Sequence, residues 1–127
     1  YASPVSGNHI AGNFTATVQA IQAVDEEVGN VAKAVLARGG ALIITSDHGN
    51  AEQMSNPLTG TTETSHNANP VPVLLIANEL IKKTESALPS YDETAGLLSD
   101  IAPTVLSFMG IEKPGDMTGE TLIGKLT

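Results

Sequence analysis

Ala41-Leu42-Ile43-Ile44-Thr45-Ser46-Asp47-His48-Gly49-Asn50-Ala51-Glu52 is the stretch on which the reading of this chain turns. Residues 41–45 are apolar on both faces, the pattern of a buried strand in an α/β protein. The strand then runs straight into an acid, an imidazole and a glycine. Asp47 offers oxygen and His48 offers nitrogen, a pair suited to a divalent ion such as manganese or zinc. Gly49 is expected to let the backbone turn sharply and approach such an ion. Taken alone, the pair is equally a turn aspartate beside a surface histidine. The strand before it and a further histidine at position 66 strengthen the metal reading.

Upstream of this stretch, residues 1–12 are turn-rich, with Pro4, Ser6, Gly7, Asn8 and Gly12. Asn13 is placed to cap a long helix. Phe14, Val18, Ile21, Val28, Val31 and Val35 recur at helical spacing and form one apolar face. Asp25, Glu26, Glu27, Lys33 and Arg38 fall mostly on the other side, and Gly39-Gly40 stops the helix. Downstream, residues 53–69 form a polar loop with turn signals at Asn56-Pro57 and Gly60. A second buried strand is expected over 71–77, with Pro72 near its entry, followed by a mixed, charged segment over 78–91. Asp100 is placed as the cap of a helix over 101–109, with Pro103 in its first turn and Gly110 at its end. Residues 111–127 are expected to be loop and then a short terminal element. No internal repeat or low-complexity tract interrupts this order, and the fold class is α/β.

The bulk composition narrows the function. At 127 residues the chain is long enough for one domain with a modest core. Aromatics make up only 3%, so the core must be aliphatic. A net charge of −8 with only six Lys and Arg disfavours nucleic acid and anionic membrane as partners. An anionic substrate would need a metal ion or a few placed cations. With no cysteine, neither a disulfide framework nor a thiolate zinc site can form, and a cytoplasmic location is compatible. No apolar run approaches the roughly 20 residues of a membrane span, and no signal peptide is visible. The chain opens at Tyr1 in loop-like sequence, which reads as a piece of a longer polypeptide.

Three histidines are candidates for the site: His9, His48 and His66. All lie in loops flanking expected strands or helices, and such loops at strand ends are where α/β proteins place their chemistry. By residue type alone His66 and His9 read more readily as exposed loop histidines than as ligands. Glu52 reads either as an acid that orients a metal ligand or as the first-turn acid of a short helix. Ser46 is a poor nucleophile, because no local base stands at triad spacing.

The run Ile43-Ile44-Thr45-Ser46-Asp47-His48-Gly49-Asn50-Ala51-Glu52-Gln53-Met54 closely resembles the cofactor-independent phosphoglycerate mutases. So does Thr64-Ser65-His66-Asn67-Ala68-Asn69-Pro70-Val71-Pro72, where that family has a histidine before Asn-Pro-Val-Pro. Gly12-Asn13-Phe14, Asp100-Ile101-Ala102-Pro103-Thr104 and Pro114 with Met117-Thr118-Gly119 match further segments in order. The Asp-Ile-Ala-Pro-Thr segment is shared with the wider alkaline phosphatase superfamily; the two histidine segments are more specific.

This resemblance implies a phosphatase-like α/β domain that holds two divalent cations, usually manganese. It implies an isomerase of glycolysis, in which a serine takes the phosphoryl group of 3-phosphoglycerate and returns it to the 2-hydroxyl. Asp47 and His48 match ligands of the ion that also contacts the serine, and His66 matches a ligand of the other ion. His9 matches a further ligand when Pro4 is aligned; Ile10 falls there when the helix start is aligned. Either way a carboxylate ligand is missing, since Val5 stands after Pro4 where the family has aspartate.

The resemblance covers only the last quarter or so of the family. Residues 1–127 are thus expected to be the C-terminal segment of the phosphatase-like domain. The nucleophilic serine, the substrate-binding cations and the second domain are not represented. Such a segment is expected to be inactive alone, to bind metal poorly, and to leave a face at Phe14, Val18 and Ile21 uncovered, favouring self-association. The alternatives are a non-catalytic remnant acting as a folding or binding module, and a fragment of another phosphatase-superfamily enzyme such as a phosphopentomutase. The Asn-Pro-Val-Pro segment argues against the last.

Overall fold

A computed structural model describes residues 13–56, 58–63, 65–80 and 94–126. Two compact units make up the chain, Tyr1–Asn78 and Glu79–Thr127. The expectations for Pro4, Val5, His9 and Ile10, and those for residues 81–91, lie outside the described residues.

In the first unit, helix α1 spans Phe14–Leu36. Asn13 is extended, and its side-chain oxygen accepts from the Ala16 N–H at 2.9 Å, one of the donors a helix start leaves unsatisfied. At the other end Gly39 adopts φ +69°, the left-handed backbone that glycine enters without strain. The Gly40 N–H then returns to the Val35 carbonyl at 3.1 Å and the Gly39 N–H to Leu36 at 3.0 Å. This pair of bonds is a Schellman stop. Both ends of the helix therefore fall where the capping residues place them.

The buried side of α1 differs from the apolar stripe read in the sequence. Thr17 and Ala20 are the buried residues, while Phe14 is 69%, Ile21 44% and Val31 51% exposed. The reason is lack of cover. The unit's sheet has only two strands among the described residues, β1 (Leu42–Ile44) and β2 (Leu74–Ile76). They pair antiparallel, Leu42 with Ile76, Ile43 with Leu75 and Ile44 with Leu74. Both are shorter than the expected 41–45 and 71–77, and none of their residues is fully buried, contrary to the reading of two buried strands. Among the described residues each strand has a partner on one side only, and a two-stranded pair is too small to bury its own residues. An open apolar groove of about 390 Å³ runs between α1 and β1, lined by Ala23, Val24, Val28, Val31, Leu42 and Ile44 together with Glu27.

The second unit is organised by Asp100 and Thr104. A 3-10 turn, Leu98–Asp100, leads into α2 (Ile101–Phe108), whose end is marked by Gly110 at φ +68°. Asp100 stands at the start of α2, but it does not cap that helix as expected. Its carboxylate turns back instead, accepting from the Leu97 N–H and the Glu120 N–H, each at 2.9 Å. Thr104, fully buried, donates to the Asp100 carbonyl at 2.6 Å and accepts from the Leu122 N–H at 2.9 Å. Pro103 is buried beside it, within the first turn where its missing N–H costs nothing. The tail is thereby strapped across the helix start. Gly119 fits under it only without a side chain, since a Cβ there would collide with the Ser99 carbonyl. A final helix, α3 (Ile123–Leu126), packs on α2, which bears out a loop followed by a short terminal element.

Candidate metal centre

The residues between β1 and β2 fold back on themselves. Beyond the strand pair, Gly49 bridges Asn67, and further out Ser55 bridges Thr62. The three pairings nest in antiparallel order, so residues 42–76 form one long, interrupted hairpin. Its tip is an Asx-type turn. The Asn56 side chain accepts from Leu58 N–H at 2.9 Å and Thr59 N–H at 3.2 Å, and Gly60 at φ +69° reverses the chain.

This ladder brings two distant histidines face to face. The rings of His48 and His66 stack with centroids 3.8 Å apart and planes 17° from parallel. The Ser46 hydroxyl donates to the His48 carbonyl at 2.9 Å, tightening the turn that presents the pair. His48 Nδ1 lies 2.9 Å from the Gly49 carbonyl oxygen. A carbonyl only accepts, so Nδ1 carries the proton and the Nε2 lone pair is left for another partner. Asp47 Oδ1 sits 3.6 Å from that Nε2. Two ligands of one ion stand roughly 3.0–3.4 Å apart when each bond is about 2.1 Å, so the pair lies close to ligating geometry. The Asp47 side chain is 87% exposed, open to an incoming ion.

Gly49 serves differently from the sequence reading. It is not among the glycines with left-handed backbone. What its position requires is the absence of a side chain: a Cβ there would meet the Asn67 and Glu52 side-chain oxygens. Its amide and carbonyl are joined to Asn67 by bonds of 3.2 and 3.1 Å.

Glu52 lies at the centre of this junction. Its Oε2 accepts from the Asn50 N–H at 2.7 Å, and its Oε1 from Asn69 Nδ2 at 3.0 Å. Burial pushes its carboxyl pKa up. Hydrogen bonds from the backbone of Asn50 and Glu52, and from the Asn67 and Asn69 side chains, outweigh that and hold it at about 2. Asn67 and Asn69 were not singled out in the sequence. The signal available was the Asn-Ala-Asn run directly after His66, since asparagines fold such turns by bonding nearby backbone, as Asn67 Oδ1 does with the Asn69 N–H at 2.9 Å.

Among the described residues no group of three or more His, Cys, Asp or Glu side chains is gathered to hold one ion. Asp47 and His48 form a two-donor edge, and His66 faces it ring to ring. His9 lies outside the described residues. The apolar groove is formed by α1 and β1 and includes none of these residues.

A family model described as the metalloenzyme superfamily matches residues 9–113. The chain belongs to the metalloenzyme superfamily. It is 47% identical over 113 residues to the 2,3-bisphosphoglycerate-independent phosphoglycerate mutase of Vesicomyosocius okutanii, which covers 89% of this chain and 21% of that protein. With the enzyme of the same name from Escherichia coli strain K12 it shares 48% identity over 111 residues, covering 87% and 20%. A solved structure of Leishmania mexicana phosphoglycerate mutase at low cobalt concentration superposes with a TM-score of 0.68 at 28% identity, over 88% of this chain and 22% of that one. The chain thus spans about a fifth of the length of the relatives it matches. The α/β architecture agrees with this membership. No helix among the described residues is long and apolar enough to cross a membrane.

Proposed function

We propose that this chain is the C-terminal part of the phosphatase-like domain of a cofactor-independent phosphoglycerate mutase, and that it supplies ligands to both ions of a two-cation centre. The parent enzyme would interconvert 3-phosphoglycerate and 2-phosphoglycerate through a phosphoserine, as a glycolytic isomerase of the cytoplasm. The observation that carries this reading is the stacked pair His48–His66 beside Asp47. Parallel imidazoles 3.8 Å apart can each meet a different ion, because two-metal centres separate their ions by about 3.5–4 Å. Asp47 and His48 Nε2 would serve one ion and His66 the other. This donor set of one carboxylate and imidazoles suits manganese, zinc or cobalt.

Divalent ions bound there would neutralise phosphoryl oxygens and acidify a hydroxyl nucleophile. The chain's own part is to orient the donors. The Gly49 carbonyl fixes the His48 tautomer, and the Gly49–Asn67 bridge holds the two rings together. Ser46, the serine beside the pair, has no base to activate it: it donates its hydroxyl to the His48 carbonyl. Residues 1–127 alone are therefore expected to show no mutase turnover.

The experiment is a chimera in which residues 13–127 of this chain replace the matching segment of the Escherichia coli relative. It should convert 3-phosphoglycerate to 2-phosphoglycerate with manganese and without bisphosphoglycerate. Asp47→Asn or His66→Ala should each lower kcat at least about a hundredfold, the upper scale for disturbing a metal site. Extending the graft to residue 1 should cut activity sharply, because Val5 cannot bind a cation. A folded but inactive 13–127 chimera, or one indifferent to Asp47→Asn, would overturn the reading.

A further inference from the structure

We propose that Glu52 is a positioning residue whose carboxylate clasps the His48 loop to the His66 loop and so sets the separation of the two imidazoles. Its consequence for metal binding rests on the two-cation reading above; the clasp itself does not.

The backbone tie between the loops is slight. Past Ile44 and Leu74 the strand pairing stops, and Gly49–Asn67 is the next bridge, with bonds of 3.2 and 3.1 Å. Glu52 adds a second tie of a different kind. One oxygen holds the Asn50 N–H on its own loop, while the other holds Asn69 Nδ2 on the facing loop, seventeen residues away. Asn69 also donates to Gln53 Oε1 at 3.1 Å, so its amide is gripped from two adjacent residues. The clasp closes directly over Gly49, where even a methyl group would strike Glu52 and Asn67. The same Gly49 carbonyl that accepts from Asn67 also takes His48 Nδ1. Ring orientation and loop spacing are thus fixed at one point. Bonds to a carboxylate are the stronger kind, and a pKa of about 2 keeps this one charged at any working pH.

Glutamate is required because both oxygens accept. In Glu52→Gln the new amide can accept on one side only, so either the Asn50 or the Asn69 bond must break whichever way it turns. A solvated surface acid would tolerate that change without effect. The reversed pair Glu52→Gln with Asn69→Asp lets the new amide keep Asn50 on its oxygen and donate across the loops.

The test uses the metal-free chain and reads the NMR cross-relaxation between the His48 and His66 rings, with the α1 amide signals reporting that the unit remains folded. The expected result is a strong ring-to-ring signal in the natural chain, a several-fold loss in E52Q and recovery in E52Q/N69D. Titration with manganese alone should show affinity falling roughly 10- to 100-fold in E52Q and returning in the double variant. If E52Q unfolds α1, Asn69→Ala breaks the same bond from the other side and must give the same loss of ring signal. An unchanged ring signal in folded E52Q or N69A, or no recovery in the reversed pair, overturns the clasp. If the natural chain takes up no manganese, as a segment expected to bind metal poorly can do, the ring signals still decide the clasp, and the chimera with its Asp47→Asn and His66→Ala variants decides the two-cation reading.

Discussion

Single side chains in this protein hold contacts far along the sequence. Thr104 is fully buried and both donates and accepts, closing Asp100 to Leu122. Thr104→Val keeps the shape but leaves the buried Leu122 N–H without an acceptor, a loss of about 1–3 kcal/mol. Urea unfolding followed through signals of residues 94–126 should show it as a lower midpoint with an unchanged slope. Asp100 gives the unit a dependence on pH. The Leu97 N–H, then the Glu120 N–H, hold its carboxyl below the usual value. A depressed folded pKa stabilises only while the group is ionised. That contribution is complete above about pH 4, the unfolded value, and disappears as pH falls through the folded one. Asp100→Asn should therefore weaken the unit at pH 6 and flatten its acid dependence below pH 4. An acid profile identical to that of the natural chain would contradict the assignment.

At the scale of elements, what was legible in the sequence was what short-range chemistry decides. Asn13 and Gly39-Gly40 bound α1 because a cap and a left-handed glycine act within a few residues. The same holds for Gly110 after α2 and for the Asn56–Gly60 turn. Strand lengths were less legible, because an apolar run marks what can enter a sheet, not how many residues find a partner. Asp100 was misread for a related reason: its second partner, the Glu120 N–H, lies twenty residues on, beyond any local pattern. The burial of α1 went the same way, since periodicity identifies an apolar stripe but not the surface that covers it. Asp47, His48 and His66 stood out as candidates by residue type and family resemblance. Their meeting depends on the nested pairing of residues 42–76, and the asparagines after His66 signal a turn there without showing that they reach back to Glu52.

For the molecule as a whole, the first unit leaves Phe14, Ile21 and Val31 in water beside an apolar groove and two strand edges. Apolar surface and open edges of this kind seek partners. Sedimentation of residues 1–127 over a wide concentration range should show association that grows with concentration; a monomer throughout, with a steep and high thermal transition, would contradict it. The central claim is that Asp47, His48 and His66 hold divalent ions. Its most direct test is titration of the chain with substoichiometric manganese, reading paramagnetic broadening residue by residue. The account predicts that the His48 and His66 rings broaden first, ahead of the acidic run Asp25, Glu26 and Glu27 on α1, and that Asp47→Asn weakens the effect. Broadening confined to that acidic run, with both histidine rings left sharp, would contradict it.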